Sequence, residues 1–321
     1  MSDQPSNDQP TPLAPEAAEV LAAAPRRPER HLLSIEENRA AMRATSTAFG
    51  AGAEIDRVEN TTFPGRDGAI PVRIYRTASG SQPVLVYAHG GGWVLGDLDT
   101  HDAICRNLAA LADCAVVSVD YRQPPEHKFP AAPHDVIDVV QHVLDHAEKF
   151  DFDPGRIAVG GDSAGGNLAA VAAQHLRIHP GLVHQLLLIP TLDTHLDQWP
   201  SQREFATVYN LTRNDLDWYF NHYFGDTDTS PDDPLLAPYQ ARDLTGLPSA
   251  TIVTAECDPL RDEAEAYAAR LEQSGVDIGL RRFDGMFHPF ILFGGSLAAA
   301  REAQEYAAAE LRKAFDRAAP R

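Results

Sequence analysis

The sequence predicts an α/β fold in which a mostly parallel sheet has helices on both faces. Short, continuously apolar runs recur along the chain, stretches of helical length separate most of them, and chemically suggestive residues directly follow several runs. Strands that are apolar throughout are buried on both faces, which requires helices above and below a mainly parallel sheet. Because such sheets bind ligands outside the carboxyl ends of their strands, we expect these residues to form one site.

Charge and composition exclude several classes of partner. The hydrophobic fraction of 44% indicates a soluble globular protein with a sizeable core. The formal net charge of −19 repels phosphate backbones and anionic lipids, so we expect neither nucleic acid nor a membrane as a partner. Two interpretations of this negative charge are open: it keeps the protein soluble, or it steers a cationic substrate.

The cysteines and the start of the chain indicate a cytoplasmic protein. Three cysteines are an odd number and have no paired-ligand spacing, which argues against a disulfide framework or a zinc site. The first 30 residues lack the basic start and apolar run of a signal peptide, and no 18-residue apolar stretch is present. We therefore expect a reducing compartment.

The N-terminal region divides into an arm and a helix. Residues 1–30 are rich in Pro, Ala, Gln, Ser and Asp without sustained periodicity, which predicts a mobile arm. Ser34 and Glu37 have the spacing of a capping box and precede a helix-favouring run from Ile35 to about Ala48. The segment 31–50 is therefore the first predicted ordered helix, and we expect it to pack over the core as part of a cap.

Eight strands are expected between residues 51 and 321. The first two form a hairpin, because the β-rich runs 54–63 and 69–76 flank the turn sequence Pro-Gly-Arg-Asp-Gly. The others are short apolar runs whose length and flanking residues favour buried strands. They begin at 84, 115, 157, 186, 251 and 277.

One segment, 195–240, interrupts this alternation and divides the predicted core into 51–194 and 241–321. It follows a predicted strand and contains a dense aromatic run before a stretch rich in Pro and Asp, so we interpret it as a cap insertion over the sheet. Each aromatic side chain either packs the cap onto the core or contacts substrate. The aromatic residues are Trp218, Tyr219, Phe220, Tyr223 and Phe224.

The segment 161–165, Gly-Asp-Ser-Ala-Gly, is the strongest chemical signal in the sequence. It follows a predicted strand and precedes a predicted helix, which is the context of a GxSxG nucleophile elbow with Ser163 as nucleophile. The glycines are needed because side chains two positions from the serine would clash with neighbouring elements. The other interpretation is a Gly-rich helix start that holds an anion.

A serine nucleophile needs a base and a carboxylate that orients it. In the order Ser, acid, His, only His288 follows the last predicted strand and precedes the last long helix. Asp258 follows the strand 249–255 at the start of a loop, which suits the acid, and Asp284 is the other candidate. Asp262 and Glu263 lie in a first helical turn, where negative charge complements the helix dipole.

A tetrahedral intermediate also needs donors for its oxyanion. The segment 89–93, His-Gly-Gly-Gly-Trp, follows a predicted strand and matches an HGGG oxyanion loop, although alone it could be a flexible turn. His142 and His146 lie four apart on a predicted helix, but no third ligand has suitable spacing. We therefore expect no metal site.

Together these motifs resemble the hormone-sensitive-lipase group, the bacterial family IV carboxylesterases of the α/β-hydrolase fold. The similarity spans about 45–318 and includes Val-Asp-Tyr-Arg at 119–122, the segment 125–131 and the segment 254–263. The resemblance implies an eight-stranded sheet with a helical cap. It also implies a triad of Ser163, Asp258 and His288 with oxyanion donors Gly91, Gly92 and Ala164.

The resemblance implies a serine carboxylesterase that cleaves short- to medium-chain esters through an acyl-enzyme without a cofactor. Its partner is then a small-molecule ester, and a homodimer is left open. Two other interpretations remain: an amide or N-acetyl deacylase with the same triad, and a non-catalytic small-molecule receptor on this scaffold. Gln123, Pro124 and Pro289 depart from the family pattern. We expect the first two to alter only local packing and Pro289 to reshape the leaving-group side.

Overall fold

The computed structural model describes residues 10–24 and 28–319. One eight-stranded sheet runs through it, with strands β1 (Arg57–Gly65), β2 (Gly68–Arg76), β3 (Gln82–Ala88), β4 (Ala115–Val119), β5 (Phe152–Asp162), β6 (Leu182–Leu188), β7 (Ser249–Cys257) and β8 (Ile278–Phe287). Their order across the sheet is β1-β2-β4-β3-β5-β6-β7-β8. Strand β2 is antiparallel to both neighbours, and the other pairs are parallel. The predicted fold class is confirmed.

Helices cover both faces of the sheet. In the described residues they are α1 (Pro15–Ala23), α2 (Ile35–Ser46), α3 (Asp102–Ala112), α4 (Ala131–His146), α5 (Ala164–His175), α6 (Pro200–Glu204), α7 (Arg213–Tyr223), α8 (Arg261–Gln273) and α9 (Ala298–Ala318). Helices α4, α5 and α8 contribute to one core, and α1, α3 and α9 contribute to the other. Along β3, Val84 and Val86 face the first core while Leu85 and Tyr87 face the second.

The predicted hairpin is present, with Phe63 paired to Ile70 and Gly65 paired to Gly68. The capping box of α2 is also present. Ser34 Oγ accepts a hydrogen bond from Glu37 N at 3.2 Å, and Glu37 Oε2 accepts one from Ser34 N at 2.8 Å. The box satisfies main-chain N–H groups that have no acceptor at a helix start, so α2 begins where the sequence predicts.

The prediction of a mobile arm over residues 1–30 is wrong for residues 10–24. These residues include α1, which packs on the second core with Ala17 fully buried. Leu13, Ala17, Val20 and Leu21 form an apolar stripe with helical spacing, a signal that the Pro- and Ala-rich composition obscured. The segments 1–9 and 25–27, also assigned to the arm, lie outside the described residues.

The segment 195–240 follows β6 and contains α6 and α7. Its apolar side chains join residues of the loop after β3, and α2 packs against them, which is the arrangement expected of a two-part cap. The domain boundaries themselves stay a prediction. We call these packed apolar side chains the cap cluster. Its members are Val94, Leu95, Leu196, Leu211, Leu216, Trp218, Tyr219 and Leu260, and Ile35 and Met42 of α2 pack against them.

None of the helices within residues 10–24 and 28–319 combines the length and apolar character that a membrane span requires.

Candidate active site

Ser163 is the single residue between strand β5 and helix α5. It follows the last residue of β5 and precedes the first residue of α5, with φ +54° and ψ −119°. This left-handed backbone is rare for a residue other than glycine and marks a strained turn. A Cβ on Gly161 or Gly165 would lie 2.3 or 2.0 Å from the Ala88 carbonyl oxygen. Both glycines are therefore required for the elbow to pack against β3.

The structure brings Ser163, Asp258 and His288 together at the carboxyl ends of β5, β7 and β8. His288 Nε2 lies 2.9 Å from Ser163 Oγ, and His288 Nδ1 lies 2.8 Å from Asp258 Oδ2. All three residues are buried, and Asp258 is only 1% exposed. The arrangement allows a proton to pass from Ser163 to a base that a carboxylate orients.

The second oxygen of the Asp258 carboxylate is held by the main chain. Asp258 Oδ1 accepts a hydrogen bond from Leu260 N at 2.9 Å. The carboxylate is thereby oriented so that Oδ2 accepts the Nδ1–H of His288, which leaves the Nε2 lone pair facing the serine hydroxyl. Asp284, the other candidate acid, is exposed on β8.

Asn210, in the segment 195–240, contacts the histidine from its main-chain side. Its Nδ2 donates a hydrogen bond to the His288 carbonyl oxygen at 3.0 Å. Tyr209, immediately before it, has φ +65°, and its hydroxyl donates to the Thr11 carbonyl oxygen at 2.5 Å. Sequence reasoning missed Asn210, because no motif or strand end places an asparagine of the insertion next to His288.

The loop after β3 has the sharp turns expected of an oxyanion loop. Gly91 and Gly92 have φ of +110° and +61°, and Leu95 N donates to the Gly91 carbonyl oxygen at 2.9 Å. A Cβ on Gly91 would lie 2.2 Å from the Leu95 carbonyl oxygen, so this turn requires glycine. Ala164 is the first residue of α5, where an N–H has no acceptor within the helix and is available to a ligand.

Comparisons with known proteins agree with this geometry. A family model described as the alpha/beta hydrolase fold matches residues 85–292. The chain belongs to the α/β-hydrolase family. It is 44% identical over 281 residues to the carboxylic ester hydrolase LipN of Mycobacterium tuberculosis, covering 84% of this chain and 74% of LipN. It is 43% identical over 290 residues to the carboxylesterase NlhH of the same organism, covering 88% of this chain and 90% of NlhH.

A solved structure extends the similarity. The hyperthermophilic esterase from the archaeon Pyrobaculum calidifontis matches this α/β-hydrolase with a TM-score of 0.86 and 39% identity, covering 94% of this chain and 99% of that one. The prediction of the hormone-sensitive-lipase group is confirmed, as is the prediction of a carboxylic ester hydrolase.

Aromatic residues of α7 lie directly against the oxyanion loop of this α/β-hydrolase. Trp93 stacks on Tyr223 with ring centroids 4.3 Å apart and planes 6° apart. A Cβ added to Gly92 would lie 2.1 Å from Tyr219 Cδ1, so the Tyr219 ring contacts the glycine itself. Tyr219 and Tyr223 therefore pack the predicted cap onto the loop, and Tyr219 does so at Gly92, one of the expected oxyanion donors.

Gly92→Ala is expected to lower kcat by about 100- to 1000-fold, the usual effect of losing one oxyanion donor. The new Cβ would overlap the Tyr219 ring, so the loop must move and carry its N–H groups away from Ser163. Initial rates on p-nitrophenyl acetate measure the change. Gly246→Ala is the control, because Gly246 also has positive φ but nothing within 4 Å of an added Cβ. Equal losses in both variants would contradict the role of the contact.

Arg39 of α2 connects the predicted cap to the same loop. Its Nε donates to the Val94 carbonyl oxygen at 3.1 Å, and Nη2 donates to the Pro124 carbonyl oxygen at 2.8 Å. The guanidinium also pairs with Glu126 at 3.0 Å. Sequence reasoning missed Arg39, which looks like one more charged residue on the surface of an amphipathic helix.

Glu263 supports the nucleophile elbow from behind. Its side chain is fully buried, and Oε1 accepts a hydrogen bond from Leu192 N at 2.7 Å. The neighbouring Thr191 N donates to the Ser163 carbonyl oxygen at 3.3 Å. Burial raises the pKa of Glu263 well above its usual value, so the folded protein retains this proton to higher pH than the unfolded chain does. Glu263 lies in the first turn of α8 as predicted, but a solvated negative charge that complements the helix dipole is the wrong description of this buried residue.

Glu263→Gln is expected to have a higher free energy of unfolding than the wild type, and this difference should grow as the pH rises. The unfolded chain releases this proton near pH 4.5, whereas the folded chain retains it to higher pH. The stability that protonated Glu263 contributes is therefore full below about pH 4.5 and is lost, at about 1.4 kcal/mol per pH unit, until the folded pKa is reached. Urea unfolding at pH 4.5 and pH 8 measures the gain. Glu272→Gln, exposed on the same helix, is the control, and a gain independent of pH would contradict this account.

No group of three or more His, Cys, Asp or Glu side chains is placed to hold a metal in the part of the chain that the structure describes. The rings of His142 and His146 lie 4.5 Å apart, and His142 also packs against Phe63 and Phe150. Packing of the His142 ring against these aromatic side chains accounts for the position of the pair without a metal ion.

Proposed function

We propose that this carboxylesterase hydrolyses short- to medium-chain carboxylic esters through an acyl-enzyme on Ser163. The observation that carries the proposal is the continuous hydrogen-bonded series from Ser163 Oγ through His288 to the Asp258 carboxylate. A serine hydroxyl is a weak nucleophile unless a base accepts its proton, and this series supplies the base and its orienting group.

In the first half of the reaction Ser163 Oγ attacks the ester carbonyl carbon while His288 Nε2 accepts the hydroxyl proton. Asp258 Oδ2 stabilises the resulting imidazolium through Nδ1–H. The N–H groups of Gly91, Gly92 and Ala164 donate to the oxyanion of the tetrahedral intermediate. As the C–O bond of the ester breaks, His288 returns its proton to the leaving alkoxide and the alcohol departs.

In the second half a water molecule replaces the alcohol. His288 Nε2 takes a proton from the water, whose oxygen attacks the acyl carbon and regenerates the oxyanion at the same three donors. The intermediate breaks its bond to Ser163 Oγ, and His288 returns the proton to the serine. The carboxylic acid leaves, and the enzyme returns to its starting state without a cofactor.

The packing around the oxyanion loop supports a small acyl pocket. The Tyr219 ring lies against Gly92, and Leu260 of the cap cluster is two residues from Asp258. The cluster thus brings bulky side chains close to the reacting atoms on the side of the expected cap. We infer that these side chains limit the length of acyl chain that fits beside Ser163.

An acyl-chain series tests this proposal. We expect kcat/KM on p-nitrophenyl esters to be highest for acetate to hexanoate and to fall steeply for laurate and palmitate. An increase toward palmitate would contradict the small pocket. The matched p-nitroanilides test the amide interpretation, and a kcat/KM on anilides equal to that on esters would favour a deacylase.

We further propose that the enzyme acts in the cytoplasm on a small-molecule ester. All three cysteines are buried and unpaired, which suits a reducing compartment. Membrane and soluble fractions assayed for activity test the location, and activity restricted to the membrane fraction would overturn it. A homodimer stays a prediction, which light scattering of the purified enzyme tests.

A further inference from the structure

The residue before the nucleophile has a buried carboxylate that the proposed reaction does not use. Asp162 is 1% exposed, and its Oδ1 accepts two hydrogen bonds. One comes from the Tyr87 hydroxyl at 2.7 Å and the other from Gly90 N at 3.0 Å. Gly90 belongs to the oxyanion loop, so this carboxylate connects two segments that are 72 residues apart in the chain.

The contact between Asp162 and Gly90 is close enough to require glycine. A Cβ on Gly90 would lie 2.2 Å from Asp162 Oδ2. The same peptide is also held at its carbonyl, because the Tyr121 hydroxyl donates to the His89 carbonyl oxygen at 2.8 Å. The main chain leading into Gly91 and Gly92 is therefore fixed by hydrogen bonds from both sides.

A buried histidine lies beside this carboxylate. His101 Nε2, fully buried, lies 3.4 Å from Asp162 Oδ2, an ion-pair distance. The Thr100 hydroxyl donates to the Asp97 carbonyl oxygen, so it accepts the Nδ1–H of His101 at 3.0 Å. Burial alone would raise the pKa of Asp162, but His101 and the hydrogen bonds to the carboxylate outweigh burial and lower it. Asp162 thus stays ionised, and an ionised acceptor binds N–H groups more strongly than a neutral one.

We propose that Asp162 is a positioning residue that sets the distance between the oxyanion donors and the nucleophile. Asp162 is covalently linked to Ser163 and hydrogen-bonded to Gly90, the residue before Gly91. It therefore connects the nucleophile directly to the oxyanion loop, and we call this connection the tie. Since the donors act on charge that develops only in the transition state, loss of the tie lowers kcat and leaves KM nearly unchanged. This inference rests on the proposed function.

Asp162→Ala tests the tie. We expect kcat on p-nitrophenyl acetate to fall about 10- to 100-fold, less than for complete loss of a donor. Affinity for a trifluoromethyl ketone, which forms an oxyanion on the serine, should fall by a similar factor. Asp162→Asn keeps an acceptor oxygen but loses the charge, so its kcat and ketone affinity should both fall by a few-fold, about a tenth of the alanine effect.

Asp135→Ala is the matched control. Asp135 is 2% exposed, accepts a hydrogen bond from Arg122 N at 2.9 Å and pairs with the Arg122 guanidinium, so its loss also removes a buried carboxylate with a main-chain donor and a cation. We expect Asp135→Ala to lower stability and to keep the wild-type kcat per serine labelled by a fluorophosphonate. Wild-type kcat per labelled site in Asp162→Ala, or equal losses in both variants, would overturn the inference.

Two further outcomes separate the inference from the proposed function. If Asp162→Ala does not fold, the asparagine variant decides, and unchanged kcat and ketone affinity in it would overturn the tie. If the wild-type enzyme labels on Ser163 and hydrolyses esters while both Asp162 variants match it, only the inference fails. If the wild-type enzyme hydrolyses no ester, the proposed function fails first.

Discussion

Ser163→Ala is expected to lower kcat on p-nitrophenyl acetate by about six orders of magnitude, as removal of a nucleophilic serine does when serine and histidine act as a unit. Without Oγ there is no acyl-enzyme, and the remaining rate comes from His288, the oxyanion donors and substrate binding. Initial rates at saturating substrate, normalised to folded protein by circular dichroism, measure the loss.

The control for this variant is Ser118→Ala. Ser118 is fully buried in β4, outside the site, so its replacement removes a buried serine hydroxyl without touching Ser163. We expect wild-type kcat in that variant. Wild-type rates in Ser163→Ala would exclude it as the nucleophile and favour the interpretation of an anion-binding helix start.

Asp258→Asn is expected to lower kcat by about 10⁴-fold with little change in structure. Because Leu260 N requires an acceptor at the Oδ1 position, the asparagine carbonyl must take that place and direct its NH₂ group at His288. The amide then donates to Nδ1, the imidazole proton moves to Nε2, and the base can no longer accept a proton from Ser163. The pre-steady-state rate of p-nitrophenol release reports this loss directly.

Asp284→Asn separates the two acids considered from sequence. Asp284 is exposed on β8, so its amide variant should keep wild-type kcat. The reverse result, with a large loss in Asp284→Asn and none in Asp258→Asn, would reassign the acid and contradict the site described above.

The sequence predicted the parts of the site whose signals are local. Ser163 and the oxyanion glycines lie in short motifs, because one sharp turn fixes several neighbouring residues at once. Asp258 and His288 follow from the rule that ligands bind at the carboxyl ends of parallel strands. The structure brings Ser163, His288 and Asp258 into hydrogen-bonding contact, and their catalytic roles are our proposal.

The contacts that hold the site in place were not predictable in this way. Arg39 and Asn210 act from α2 and from the insertion after β6, and their partners are main-chain carbonyl oxygens that no motif identifies. Gln123, expected to alter only local packing, donates to the Gly96 carbonyl oxygen at 3.0 Å, in the segment after the oxyanion glycines. Such bonds depend on tertiary packing, which overrides local preferences. Helix α1 was missed because the Pro- and Ala-rich composition around it obscured the apolar stripe that includes Ala17.

The most direct test of the central claim is covalent labelling of the wild-type enzyme with a fluorophosphonate, followed by intact mass and peptide mapping. The proposed mechanism predicts one adduct per chain, on the peptide that carries Ser163, with esterase activity lost in proportion to labelling. An adduct on another residue, or full inactivation with Ser163 unmodified, would contradict it.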